Sequence, residues 1–167
     1  TATGSLDNSA GGKILSGGNT ALAAGGLNNN AGSVTAVGDL NAAISGAATN
    51  VGGTLAANGH TTLSAASLDN SGGTAAAVTG NLTVTTSGTT TNNGGTLQAG
   101  GATTLGNGDL SNQSGKVFGN SLDVDTHGNT LDNTHGTLAA TTVVALNSGA
   151  LVNDAGLIQS GGAMTIQ

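Results

Sequence analysis

The chain has no cysteine, no tryptophan and no tyrosine, one phenylalanine and two basic residues among 167. Without cysteine there is no disulfide framework. Both basic residues are lysines, Lys13 and Lys116, so arginine is absent too. A chain with that balance, a pI near 4.3 and no basic patch is not built for nucleic acid. Charged residues make up only 6%, and eight aspartates give a net charge of −6 spread thinly along the chain. No run of 18 apolar residues exists to span a membrane as a helix, and no signal peptide with a basic start and apolar stretch is visible. With Phe118 the sole aromatic side chain, there is little to stack on sugar rings.

What is present is glycine, 31 residues of it, and asparagine at a nearly fixed interval. Asn8, Asn29, Asn50, Asn70, Asn92, Asn112, Asn133 and Asn153 are separated by 20 to 22 residues, and each is followed three positions later by Gly11, Gly32, Gly53, Gly73, Gly95, Gly115, Gly136 or Gly156. Self-similarity at such a period marks a stacked-repeat protein. Two residues before each Asn stands Leu6, Leu27, Ala48, Leu68, Thr90, Leu110, Leu131 or Leu151, with a mostly polar residue between. Past the glycine a second alternating segment carries Val34, Leu55, Ala75, Leu97, Val117, Leu138 and Ile158, each followed two residues on by a small residue such as Ala36 or Ala140. In the first unit Lys13 falls on the apolar register and Ile14 follows it, which predicts a bulge or irregular corner. A third segment closes each unit, clearest in Leu40-x-Ala42-x-Ile44, Leu82-x-Val84, Leu122-x-Val124 and Val144-x-Leu146, with Thr61-x-Leu63 and Thr103-x-Leu105 as its polar copies.

Period-two alternation in three short segments per unit predicts an all-β chain, a parallel β-helix of about eight coils with roughly 21 residues and three short strands per coil. No 3.6-residue apolar period supports a helical repeat. Glycine-rich composition alone is compatible with disorder, but disorder requires no alternation. With so few charges, cohesion must come from backbone pairing between coils and from ladders of equivalent side chains about 4.8 Å apart. Inward asparagines can pass an amide hydrogen bond along the axis, which offsets the cost of burying them. The glycines are expected at corners with positive φ or close backbone approach.

The segments LDNSAGGKILSGG, SLDNSGGTAAA, TNNGGTLQAGG, LDNTHGTLAA and LVNDAGLIQSGGAMTI resemble the filamentous-haemagglutinin repeats of large bacterial exoproteins secreted by the two-partner route. The resemblance covers essentially the whole chain. It implies a right-handed parallel β-helix, a single segment over 1–167 cut from a longer filament, secreted to the bacterial cell surface. It also implies a role as an adhesin or as the shaft of a contact-dependent growth-inhibition toxin. The implied partners are an outer-membrane two-partner-secretion transporter during export and a host or target-cell receptor met through the parent protein, the segment itself being monomeric. Nothing in it matches an amino-terminal transport domain or a carboxy-terminal toxin, so it reads as shaft.

Polysaccharide-degrading and carbohydrate-binding β-helices are the alternative. Lyase chemistry on an acidic sugar wants a basic residue and clustered acids, but Lys13 and Lys116 lie about five coils apart by the repeat period. Asp123 and Asp125 alternate outward at about 7 Å, compatible with a pair of hydrolytic carboxylates, yet Thr104 and Ala145 flank Asp123 in the adjacent coils. His127 and His135, at successive corners near Asp125 and Asp132, could make a weak divalent site, but His60 is isolated and corner histidines are ordinarily solvated. Calcium-binding GGxGxDxxx repeats do not recur. Thr61, Thr62, Thr83, Thr85, Thr86, Thr89, Thr90, Thr91, Thr103 and Thr104 supply hydroxyls to the middle coils without a strict Thr-x-Thr register. No catalytic residue, cofactor or metal ligand is assigned.

Overall fold

The computed structural model describes residues 2–167, and within them every regular element is a β-strand. The chain winds eight times. Its first coil contains Ser5–Asp7, Lys13–Ser16 and Thr20–Ala24, and its eighth Ala150–Val152, Leu157–Ser160 and Met164–Ile166. Each strand pairs in parallel with its equivalents one coil before and one coil after, as in Leu6↔Leu27, Val34↔Leu55 and Leu82↔Thr103. The fold is a parallel β-solenoid with three faces. Face one is the eight-stranded sheet of first strands; faces two and three share a fourteen-stranded sheet.

Faces two and three are one sheet because the strands fuse in two coils. In coils six and seven the second and third strands run together as Lys116–Asp125 and Thr137–Asn147, bent at a register shift between Gly119 and Ser121. Three strands in each of eight coils less two fusions gives the observed 22. Gly119 permits the bend, since a Cβ there would lie 2.4 Å from the Ser121 carbonyl oxygen.

Alternation along each strand sends one set of side chains into a single core running the length of the rod. Twelve leucines, among them Leu55, Leu97 and Leu138, are fully buried there. Differences in coil length are absorbed at corners. Ala57↔Ala77 are 20 residues apart but Thr61↔Leu82 are 21, so one residue is added at the corner between the second and third strands. In the first coil Ile14 pairs with Val34 and Lys13 with Ser33, which restores the apolar register. The additional residue sits in the preceding corner, between Asn8 and Gly12.

Threonines in the middle coils divide between inside and outside. Thr61, Thr86, Thr90 and Thr103 are buried, and Thr61 and Thr103 direct their hydroxyls to the carbonyls of Ala76 (2.7 Å) and Phe118 (2.6 Å). The outward ones hold a closer register than the sequence spacing conveys, since Thr62, Thr83 and Thr104 pair coil to coil. The inward and outward threonines therefore belong to separate columns.

Candidate functional site

Structurally, the most extensive constellation of polar side chains is the asparagine column beside face one. Asn29, Asn50, Asn70, Asn92, Asn112 and Asn133 have no solvent exposure, while Asn8 is 8% exposed and Asn153 lies open at the eighth coil. Each Nδ2 donates to the Oδ1 of the next asparagine, in seven successive links of 2.7 Å from Asn8 to Asn153. The same Nδ2 also reaches the carbonyl of its own corner glycine and a carbonyl in the following coil, as Asn92 does with Gly95 (3.3 Å) and Lys116 (3.2 Å). All seven links run the same way, so the column is a directional wire of amide dipoles along the rod axis. The interior amides have their donors engaged and no solvent exposure, so they do not face a ligand.

Two separate demands shape the adjoining corner. The residue two past each Asn has positive φ, and it is Ala31, Ser114, His135 or Ala155 as readily as Gly52, Gly72 or Gly94. The next residue has ordinary φ but no room. A Cβ on Gly32, Gly53, Gly73, Gly95, Gly115, Gly136 or Gly156 would lie 2.0 to 2.2 Å from the carbonyl oxygen of the asparagine one coil back. Close approach, and not backbone conformation, is what requires these glycines. Gly11 is the exception: its φ is +84° with open space around it, and Gly12 stands at the equivalent position, where a Cβ would lie 2.5 Å from the carbonyl oxygen of Asn8 in its own coil. The inserted residue in the first corner displaces the register by one.

A second column, absent from the asparagine pattern, caps the corner before the third strand. Asn19 Oδ1 accepts the Asp39 N–H (2.9 Å), Asp39 Oδ1 the His60 N–H (2.7 Å), His60 Nδ1 the Asn81 N–H (3.0 Å) and Asn81 Oδ1 the Ala102 N–H (3.0 Å). Its spacing of 20, 21 and 21 residues is in the sequence, but three residue types share it and hide it. What they share is an acceptor atom at one reach from the backbone.

The groups considered for chemistry are dispersed. Asp123 and Asp125 share the outward side of face three, with Thr104 and Ala145 beside Asp123 and Gly106 and Asn147 beside Asp125. They border an open cleft of about 360 Å³ that holds no other ionisable side chain. A groove of about 790 Å³ is lined by Ala99, Phe118, Gly119, Asn120, Ala139 and their neighbours and contains no acid or base. Phe118 points outward there. His127 approaches Asp125, whereas Asp132 is engaged by Thr134 and Gln113 and makes no contact with His135. The Thr134 hydroxyl above all, with the Gln113 amide, holds the Asp132 carboxyl below its ordinary value, and the Ser9 hydroxyl and N–H do the same for Asp7. Among the described residues no three metal-ligating side chains converge.

A family model described as the haemagglutinin repeat matches residues 1–51, 38–79, 77–119 and 117–167. The chain belongs to the haemagglutinin-repeat family. Each match covers about two coils, and together they account for the entire sequence. No curated protein and no solved structure gives a match. Haemagglutinin repeats are structural repeats, and both features argued above, a self-satisfied amide column and faces without converging reactive groups, suit a filament or adhesin-type shaft.

Proposed function

We propose that this chain is shaft from a large secreted filament of the bacterial cell surface, which serves adhesion or presents a contact-dependent growth-inhibition toxin. In this reading residues 1–167 are one β-helical segment of a longer rod, exported through an outer-membrane two-partner-secretion transporter. Any host or target-cell receptor is met elsewhere on the parent protein. Asn8 to Asn153 and the corner glycines serve structure, not a ligand. The observation that carries the reading is the continuous asparagine wire. It joins all eight coils through one repeated contact and leaves the outer faces free to vary, as they do from Thr104 to Asp123 to Ala145 in one column.

A shaft acts through its length. Removing whole coils from the parent filament should shorten its reach in a cell-contact assay in proportion to the coils lost, and changing Asp123 and Asp125 to Asn should leave adhesion or toxin delivery intact. The enzymatic reading predicts the opposite: the purified segment cleaves a polysaccharide and the double Asn variant does not.

A further inference from the structure

The corner after the third strand of coil six carries a feature that shaft function does not use. His127 and Gly128 have φ of +52° and +82°, and the Asn129 N–H donates to the Thr126 carbonyl at 3.0 Å. That is the φ pattern of a type I′ turn, whose first central position is normally Asn, Asp or Gly. Positive φ is shared by other non-glycine corner residues, Ala31, Ser114 and His135 among them, so what sets this corner apart is where the histidine side chain reaches. Its imidazole is directed across the corner. It passes over Gly106, where a Cβ would stand 3.8 Å from Cε1, and Nδ1 lies 2.9 Å from the Asn107 carbonyl oxygen of the preceding coil.

A carbonyl can only accept, so His127 Nδ1 is the protonated nitrogen and Nε2 of the neutral ring keeps its lone pair. Nε2 lies 3.9 Å from Asp125 Oδ2. The other carboxylate oxygen, Oδ1, is engaged by the His127 N–H at 2.8 Å and the Asn147 amide at 3.2 Å, which orients the carboxylate and leaves Oδ2 free. Two lone-pair atoms therefore lie 3.9 Å apart on an exposed corner, each side chain held through its other end. An imidazole whose second nitrogen donates to a backbone carbonyl is the arrangement that metal-binding histidines adopt. Zinc–nitrogen and zinc–oxygen bonds of about 2.0–2.2 Å span a ligand pair about 3.4 Å apart in tetrahedral geometry, half an ångström less than the observed gap. Rotation of either exposed side chain closes it.

We propose that His127 Nε2 and Asp125 Oδ2 form a two-ligand site for a divalent ion of the zinc and copper class, with water completing the coordination. Among the described residues no third His, Asp, Glu or Cys joins them, so the site is weak and open. Imidazole selects against calcium and magnesium, which prefer all-oxygen shells. The other histidines lack the arrangement. His60 Nδ1 accepts the Asn81 N–H, which places the ring proton on Nε2, and His135 has no oriented carboxylate beside it. A bound ion would tie the turn to Asp125 and so stabilise the coil.

The test is zinc titration of the 167-residue chain in a non-chelating buffer at neutral pH, read by imidazole nitrogen NMR and by Tm. The expected result is a selective change at His127 Nε2 before His60 or His135 responds, with a rise in Tm that grows with zinc and is reversed by EDTA. Asp125→Asn keeps an oxygen to accept the His127 N–H but replaces the free oxygen with an amide; it should weaken zinc binding by about tenfold or more, and His127→Ala should abolish the selective response. Equal response of all three histidines, no response at millimolar zinc, equal effect of calcium, or undiminished binding in Asp125→Asn would each overturn the site.

Discussion

Asn92 accepts from Asn70 and donates to Asn112, both at 2.7 Å, from a position with no solvent exposure. Replacing it with Ala strips a partner from each neighbour and should cost about 1–3 kcal/mol, as unsatisfied buried groups do. Asn153→Ala, at an open coil, should cost clearly less in the same thermal denaturation series. The neighbouring corner separates two roles of glycine. Gly94 has φ +63° with open space, so Gly94→Ala should cost only about 1–2 kcal/mol, because Ala31 already stands at the equivalent position. Gly95→Ala puts a Cβ 2.1 Å from the Asn70 oxygen and should be markedly worse, forcing two coils apart. Asp132 gives the pH dependence at this scale. Its folded pKa is depressed, so the stability it adds is present above the unfolded value of about 3.9 and is lost as pH falls through the folded one. The Tm difference between wild type and Asp132→Asn should therefore shrink on acidification below about pH 4.

At the scale of the strand and its corner, hydrogen-bond geometry matters more than residue identity. The caps Asn19, Asp39, His60 and Asn81 perform one task with three side chains. His60→Asn should hence be close to neutral, while His60→Ala should lose about 0.5–1.5 kcal/mol, measured as a shift of the denaturant midpoint at constant m. Thr61 and Thr103 follow the same logic, each with its hydroxyl on a backbone carbonyl. Thr61 replaces an aliphatic residue in the column Leu40, Thr61, Leu82 without leaving its hydroxyl unpaired.

Over the whole molecule, pairing is between nearest coils, so stability should behave as a sum of coil terms and interfaces. An in-frame deletion of residues 92–111 removes one coil and joins Thr91 to Asn112, leaving Asn70 to donate to Asn112. That variant should fold with parallel-β circular dichroism and a rod shorter by about 4.8 Å in small-angle scattering. Deleting half as many residues should abolish cooperative folding, since every inward side chain downstream would lose its equivalent.

The repeat, its period and its inward columns were legible in the sequence because stacking places equivalent residues one coil apart. The pattern at Leu6, Asn8 and Val34 is therefore a direct image of the core. Sequence also distinguished the first corner as irregular, through Lys13 and Ile14. It did not show which residue was added there, that the tight glycine was Gly12 instead of Gly11, or that positive φ fell one residue before the crowded position. Those depend on how closely one coil's backbone passes the next, a distance no linear spacing contains. The same holds for the mixed caps of Asn19, Asp39, His60 and Asn81, whose common property is an acceptor's position in space, and for the threonines, whose inward or outward sense follows strand pairing. Periodicity along the chain determined the solenoid; contact between coils decided what each residue does in it.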